Sequence, residues 1–317
     1  MVYKELQRKL QVQKLRYKHP ELFNQDNGGG KFDKYDSLPF ILLNGLNNLY
    51  SKIQSPVVPY FEKNDIAWWG DNEEYPTGHL LSSQMQCLNF LFALRNNKQA
   101  VLALAKLFDS EIDDVLETIK EYATGYIAFE FVFENEKLLG ENDFGAKRGS
   151  KCTSIDAFII ALRKGKKILI PLEWKYTETY LKCENKSTEP GKGKVRQNRY
   201  NHLIVKSSQL KTPVDFEDCI YYYEPFYELM RQTLLAEQMI LQGIGDDILH
   251  IVVIPNENTD LLGSNYSFSK DDFQTTWRKS IVDQEKFKVI DSKEILQTIE
   301  NLPNYTELAN YITQRYY

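Results

Sequence analysis

The sequence has few of the residues that build disulfide frameworks or structural zinc sites. Its 317 residues include only 4 cysteines and 4 histidines. The cysteines form no CxxC pair and the histidines are scattered, so we expect neither a disulfide-rich scaffold nor a structural zinc site. Such sparse cysteines are typical of reduced thiols in a cytoplasmic protein, and this is the location that we predict.

Long apolar runs are also missing. The longest uncharged apolar stretches, such as 157–162 and 251–255, are far too short to span a bilayer. The first 18 residues are highly charged and lack the apolar segment of a signal peptide. The sequence therefore predicts no membrane partner.

Nucleotide and acyl-transfer motifs are absent as well. The segment GAKRGSK (145–151) lacks the spacing of a phosphate-binding P-loop. The glycines at 243 and 245 follow a predicted helix, which is the wrong order for a dinucleotide site. No GxSxG sequence is present. Chemistry driven by ATP or NAD is therefore not expected.

What the sequence does have is an uneven distribution of charge. The composition, 42% hydrophobic and 26% charged, is that of an ordinary globular protein, with one large α/β domain plus additions or two domains. Residues 147–206 contain 15 Lys or Arg and 5 Asp or Glu, although the whole chain has a net charge of −5. A basic segment on an acidic body suits a phosphate backbone, and a solvated basic loop is the alternative.

Hydrophobic periodicity predicts a helical first third followed by strands. The predicted helices lie at 1–18, 38–53, 79–95, 99–108, 111–122 and 224–242. The predicted strands lie at 126–133, 153–162, 167–175 and 248–254. The central order of helix, three strands, helix and strand predicts an α/β core with a mixed sheet.

The two central strands are predicted to form a tight hairpin with Lys164 and Gly165 at its tip. In that register Asp156 faces Glu173, and directly opposed residues have Cβ atoms about 5 Å apart. Lys175 lies two residues beyond Glu173 and shares its face. The sequence therefore predicts that two carboxylates and an ammonium group meet at one point of the sheet.

Two neighbouring carboxylates near a core repel each other, and a divalent cation relieves that repulsion. Mg²⁺ takes oxygen ligands from one or two carboxylates and can acidify a bound water. Lys175 can stabilise negative charge that develops on a phosphate. An internal ion pair between Asp156 and Lys175 beside Glu173, or a glycosidase-like carboxylate pair, are the alternatives.

The motif itself resembles a known superfamily. Ser154-Ile155-Asp156 followed by Glu173-Trp174-Lys175 resembles the PD-(D/E)xK, or restriction-endonuclease-like, nucleases. Four longer segments resemble a family of prokaryotic restriction endonucleases in that superfamily: HLLSSQMQCLNFLF (79–92), SIDAFI (154–159), LEWKYTETY (172–180) and YEPFYELMRQTLLA (223–236). The resemblance covers roughly residues 75 to 260.

The resemblance implies a particular metal centre. It implies that Asp156 and Glu173 bind Mg²⁺, with Mn²⁺ as the alternative, assisted by the main-chain carbonyl of Trp174. It also implies that Lys175 is the catalytic lysine. Ile155 occupies the position where a proline is usual. Several branches of the superfamily add a glutamate from the first helix as a further metal ligand. Gln84 is the nearest residue at that position here, so we treat it as a possible accessory residue of the metal site.

The resemblance also implies a fold, a division of the chain and a function. We expect an αβββαβ restriction-endonuclease-like core at 75–260, a helical N-terminal extension at 1–74, and an α-rich C-terminal extension at 261–317 packed on the core. The expected function is a DNA endonuclease of restriction or defence. The alternatives are a catalytically silent nucleic-acid-binding protein, a nuclease that acts on RNA, and a hydrolase of small phosphate esters. A homodimer is an alternative to a monomer.

Basic residues follow the catalytic strand in what the glycines at 191 and 193 predict to be a mobile loop. We predict that four of them contact the DNA backbone: Lys192, Lys194, Arg196 and Arg199. A solvated surface loop is the alternative. Arg231 and Gln232 on the later helix are further candidates for a phosphate contact, with a solvated helix face as the alternative.

Overall fold

A computed structural model describes residues 2–70, 72–118, 124–133, 138–141 and 152–317. Within these residues the fold is mixed α/β, with a seven-stranded sheet flanked by helices and a separate two-stranded sheet. This agrees with the predicted fold class at the level of a mixed sheet with flanking helices. No helix in the described part of the chain is long and apolar enough to cross a membrane.

The elements are numbered in chain order. The helices are α1 Tyr3–Gln13, α2 Ser51–Lys63, α3 Ser83–Leu91, α4 Lys98–Phe108, α5 Gly193–Lys206, α6 Phe226–Leu241, α7 Thr259–Leu262, α8 Phe273–Ser280, α9 Ser292–Glu300 and α10 Thr306–Tyr316. The strands are β1 Gly30–Phe32, β2 Tyr35–Leu38, β3 Asp114–Leu116, β4 Ala128–Phe131, β5 Ile155–Arg163, β6 Lys166–Trp174, β7 Asp247–Ile248, β8 His250–Val253 and β9 Phe287–Ile290.

The main sheet has an antiparallel half and a parallel half that meet at β6. Strands β3 and β4 pair with different parts of β5, and β5 pairs with β6, all antiparallel. Strands β7 and β8 pair parallel to β6, and β9 pairs parallel to β8. Parallel neighbours need a long crossover, and here it contains α5 and α6. The crossover brings α6 back to the sheet.

The predicted hairpin register is confirmed along the body of the two strands. Leu162 pairs with Lys167, and the ladder continues to Ala157 paired with Leu172. Lys164 and Gly165 both have positive φ, 54° and 77°, as a two-residue turn of type I′ requires. The ladder ends one pair short of Asp156 and Glu173.

Alternate residues of β5 enter two apolar clusters on opposite faces of the sheet. Ala157 and Ile159 belong to one cluster, together with residues of α3, α4, α9 and α10. Phe158 and Ile160 belong to the other, together with residues of α6 and α8. Both faces are thus covered, which explains why β5 and β6 are almost continuously apolar.

The predicted helix at 111–122 is wrong where the structure describes it. Asp114–Leu116 forms β3, in which Val115 pairs with Ala161 on the side of β5 that faces away from β6. Asp113 accepts a hydrogen bond from the main-chain N–H of Lys164 at 2.7 Å. Ladder bonds to β5 therefore outweigh the local helical pattern. Residues 119–122 and the segment 145–151 lie outside the described residues.

The predicted helix at 38–53 is also wrong. The segment is extended at its start, because the N–H of Leu42 donates to Gly78 O at 2.9 Å and that of Leu80 donates to Phe40 O at 3.1 Å. A 3₁₀ turn at Gly45–Asn48 follows, and α2 begins only at Ser51. Pairing with a distant segment therefore decides the local structure. The three-part division of the chain stays a prediction.

Candidate active site

Asp156, Glu173 and Lys175 come together where β5 begins and β6 ends. The main-chain N–H of Trp174 donates to Asp156 Oδ2 at 2.7 Å, which fixes the aspartate against the end of β6. On the other side β8 runs beside this point, and the N–H of Lys175 donates to Val253 O at 2.9 Å. Glu173 and Lys175 are only 4% and 5% exposed. The structure thus assembles the predicted triad in a largely buried setting.

Lys175 is held by two carboxylates. Its Nζ lies 2.5 Å from Glu173 Oε1 and 2.5 Å from Glu228 Oε2, which comes from α6. The ring of Tyr180 lies 5.4 Å from the same nitrogen. An ion pair of the lysine was an alternative at the sequence level, but the partners that the structure shows are Glu173 and Glu228 rather than Asp156.

A hydrogen-bonded chain from α6 and β8 orients Glu173. Gln232 Nε2 donates to Glu173 Oε2 at 2.5 Å and to Ser154 O at 3.0 Å. Gln232 Oε1 lies 3.0 Å from His250 Nε2. Burial lowers the pKa of His250 to about 3, so the imidazole is neutral and a proton on Nε2 suits this contact. Gln232 therefore contacts the site itself and is not part of a solvated helix face.

Glu130 is a third acidic residue at the site, and sequence reasoning missed it. It lies on β4 and is 7% exposed. Its Oε1 accepts a hydrogen bond from Gln84 Nε2 and its Oε2 accepts one from Ser154 Oγ, each at 2.8 Å. Gln84 Oε1 accepts from the N–H of Trp69. The accessory candidate Gln84 therefore supports a carboxylate of β4. The sequence feature that could have revealed Glu130 is a single acidic residue within an otherwise apolar strand.

The surroundings of Asp156 and Glu173 disfavour the charged forms of these two carboxyl groups. Burial, followed by repulsion from Glu173 and Glu130, raises the pKa of Asp156 well above its usual value. Burial also raises the pKa of Glu173 to about 7, although Lys175 opposes the shift. For Glu228 burial acts to raise the pKa, but Lys175, Arg231 and Lys186 together outweigh it, so the pKa lies below the usual value. The charged forms of Asp156 and Glu173 thus lack full compensation from the protein.

The donor chemistry of the site fits a hard divalent cation. Asp156 and Glu173 offer only oxygen atoms, and extra positive charge would offset their burial and mutual repulsion. Mg²⁺ is commonly bound through one or two protein carboxylates. Among the described residues no group of three or more His, Cys, Asp or Glu is arranged to hold a metal. Asp156 and Glu173 are the carboxylates that could hold such a cation.

The predicted mobile loop after the catalytic strand is in part a helix. Lys192 lies at the start of α5, and Lys194, Arg196 and Arg199 lie within it. Tyr200 and Ile204 are buried at helical spacing and anchor α5 to the sheet. A Cβ at Gly193 would lie 1.9 Å from Ser187 O. The glycine thus permits a close approach of two backbone segments rather than a mobile hinge.

The four basic side chains differ in their surroundings. Lys192 and Arg196 both pair with Glu189, at 3.1 and 2.5 Å. The Lys192 side chain is 70% exposed and that of Arg196 only 17%. Lys194 is exposed, and the guanidinium of Arg199 lies 5.9 Å from the ring of Tyr200. Lys192 and Lys194 are thus more accessible to a DNA backbone than the two arginines.

Arg231, a further candidate for a phosphate contact, lies beside the site on α6. Its guanidinium lies 4.7 Å from the centroid of the Tyr227 ring. Its Nη1 is 3.4 Å from Thr153 Oγ1 and 4.0 Å from Glu141 Oε1. Arg231 is therefore tied into the protein by aromatic and polar contacts.

A mixed sheet carries an aspartate at the start of one hairpin strand and Glu-x-Lys at the end of the other, an arrangement consistent with a restriction-endonuclease-like protein. The model of the family described as "Restriction Endonuclease associating with ARP" matches residues 4–317. The chain belongs to this family, which confirms the predicted family class. No curated protein matches the chain. No solved structure matches it either.

Proposed function

We propose that the chain is an Mg²⁺-dependent endonuclease that hydrolyses DNA phosphodiester bonds and serves restriction or a related defence. The observation that carries the proposal is the buried convergence of Asp156, Glu173 and Lys175 at the ends of β5 and β6. The family match, to restriction endonucleases, supports the same reaction class. The proposed nuclease core is 75–260, between the two extensions.

In this proposal Asp156, Glu173 and the main-chain carbonyl of Trp174 hold the cation, with Mn²⁺ as a substitute for Mg²⁺. When bound, such a cation acidifies a water and stabilises charge on the phosphate. The protein prepares the ligands: the N–H of Trp174 fixes Asp156, and Gln232 fixes Glu173. Each carboxylate is thus already held by a hydrogen-bond donor of the protein.

Lys175 contributes a positive charge that is already in place. Its ammonium group is buried between Glu173 and Glu228, where electrostatic interactions are stronger than in water. We propose that it stabilises the negative charge that develops on the phosphate oxygens during attack. A group held in position needs no reorganisation at the moment of reaction, so its effect on the rate is large.

Lys192, Lys194, Arg196 and Arg199 are the proposed contacts to the DNA backbone. Lys192 directly precedes α5 and the other three lie in its first half, and α5 is the first helix after β6, which contains Glu173. Arg196 also approaches α6, because its guanidinium lies 5.9 Å from the ring of Tyr227. Contacts of this kind fix the position of a duplex but carry no sequence information.

The test is cleavage of plasmid DNA in Mg²⁺ by wild-type protein, Lys175→Ala and Glu173→Ala. We expect discrete fragments from the wild type. We expect a loss of at least about a hundredfold in each variant, the size of effect seen when one charge-stabilising group is removed from an active site. Equal cutting by all three proteins would reject the site. Salt-sensitive DNA binding by wild-type protein with no cleavage in Mg²⁺ or Mn²⁺ would reject the enzymatic proposal.

A further inference from the structure

Helix α6 presents two polar side chains to the site, one turn apart. Glu228 and Gln232 are four positions apart in the sequence, so they lie on the same face of the helix. Glu228 contacts Lys175, and Gln232 contacts Glu173. One helix therefore holds both members of the Glu-x-Lys pair, and each has its own partner.

The two carboxylates around Lys175 have different positions in the fold. Glu173 belongs to β6 and is one of the two proposed cation ligands. Glu228 belongs to α6, and its side chain is 30% exposed, compared with 5% for that of Glu173. Arg231 and Lys186 also act electrostatically on Glu228, but its hydrogen-bonded partner is Lys175. Glu228 is therefore free to stay with the lysine while Glu173 serves the cation.

A lysine at this position needs a fixed partner. Its ammonium ends a flexible four-carbon stem with several rotatable bonds. Its side chain is only 7% exposed, and a buried charge that loses its partner is strongly disfavoured. If Glu173 turned its charge towards a cation, the carboxylate of Glu228 would be the remaining ion-pair partner that the described residues provide. The ring of Tyr180 gives only a weaker contact.

We propose that Glu228 is a positioning residue, which keeps Lys175 in place when Glu173 binds the cation. This inference rests on the proposed function, because it assigns Lys175 and Glu173 separate tasks in the same reaction. Glu228 acts through the lysine and not on the substrate. Nothing in the Asp…Glu-x-Lys motif requires this residue, which lies 53 positions beyond Lys175 in the sequence.

The test uses the full chain with Glu228→Gln, which keeps the side chain's size and its hydrogen-bonding oxygen but removes its charge. Single-turnover cleavage at saturating Mg²⁺ is expected to fall about tenfold to a hundredfold, as when a group that orients an active-site residue is removed. DNA affinity measured in Ca²⁺ is expected to stay within about twofold of the wild type, because binding does not require the lysine to be in its reactive position. Glu228→Asp, which retains the charge, is expected to lose less activity than the glutamine variant.

Glu224→Gln is the matched control. It removes the same charge four positions earlier in the sequence, just before α6 begins, and breaks the 2.9 Å ion pair with Lys186 rather than that with Lys175. Cleavage by this variant is expected to stay within about twofold of the wild type, because it removes no group that holds Lys175. An equal loss of activity in both variants would overturn the proposal.

A measurement without substrate separates this proposal from the proposed function. The ammonium groups of ¹⁵N-labelled lysines are followed by NMR, and the Lys175 signal is identified by its loss in Lys175→Arg. In wild-type protein the signal is expected to persist on addition of Mg²⁺. In Glu228→Gln the Lys175 signal is expected to broaden or disappear on the same addition of Mg²⁺. An unchanged signal in that variant would overturn the positioning role, whereas absence of wild-type cleavage beside the expected NMR result would reject only the nuclease activity.

Discussion

Replacing Glu173 by glutamine should stabilise the protein when no divalent cation is present. The pKa of this buried carboxyl is raised from 4.5 to about 7. Each pKa unit corresponds to about 1.4 kcal/mol, so the folded protein disfavours the charged form by roughly 3 kcal/mol. Glutamine keeps an oxygen that can accept from Gln232, and Lys175 keeps Glu228 as its partner.

The effect should depend on pH in a defined direction. Well below pH 4.5 the carboxyl is protonated in both the folded and the unfolded chain, so it causes no penalty. As the pH rises to about 7, the unfolded chain ionises first and the wild type loses stability. At pH 8 the glutamine variant should therefore be more stable by about 1–3 kcal/mol, and at pH 4.5 the difference should be close to zero.

The assay is urea denaturation with EDTA at the two pH values, followed by the same measurement in Mg²⁺ at pH 8. A cation that binds only the folded state stabilises it by mass action, so Mg²⁺ should reduce the advantage of the variant by stabilising the wild type. Glu111→Gln, which breaks only the exposed ion pair with Lys164, is the control. A variant that is destabilised at pH 8, or an advantage of equal size at both pH values, would refute the reasoning.

Three further outcomes follow from the same contacts. Gln232→Ala should lower the affinity for Mn²⁺ by about tenfold, measured by calorimetry, because Glu173 loses its orienting donor; unchanged affinity would show that Gln232 has no such role. Glu130→Gln should lower the pKa of Asp156, measured by carboxyl ¹³C NMR without metal, because one repulsive charge is removed; an unchanged pKa would contradict the assigned interaction. The double variant Lys194→Ala/Arg199→Ala should weaken DNA binding in Ca²⁺ and reduce the slope of log affinity against log salt by about 1–2; an unaltered slope would remove these two residues from the interface.

The hairpin and its triad were predictable because the information is local. The two apolar runs and Gly165 determine the turn, and strand geometry then determines which face Asp156, Glu173 and Lys175 share. The pattern could not show that the regular ladder stops one pair before Asp156. That ending depends on how the neighbouring strands and loops pack around the end of the sheet.

Glu130 and Glu228 could not be predicted in the same way. Each lies on an element whose position depends on a distant partner: β4 on its pairing with β5, and α6 on the crossover that leads to β8. The same reason explains the errors at β3 and at residues 38–53, where pairing with distant segments overrides local helical spacing. In α5 the charges and glycines concealed the buried positions of Tyr200 and Ile204.

The position of β6 between the two halves of the sheet has a consequence during synthesis on the ribosome. The Asp…Glu-x-Lys motif has been synthesised by residue 175, but Glu228, Gln232 and Val253 follow 53 to 78 residues later. Until they emerge, Glu173 lacks its orienting donor, Lys175 lacks its second carboxylate, and β6 lacks its parallel neighbour. A nascent or truncated chain that ends before α6 therefore carries the whole motif without the assembled centre. If the chain has the proposed nuclease activity, this order of synthesis would delay that activity until α6 and β8 have joined the sheet.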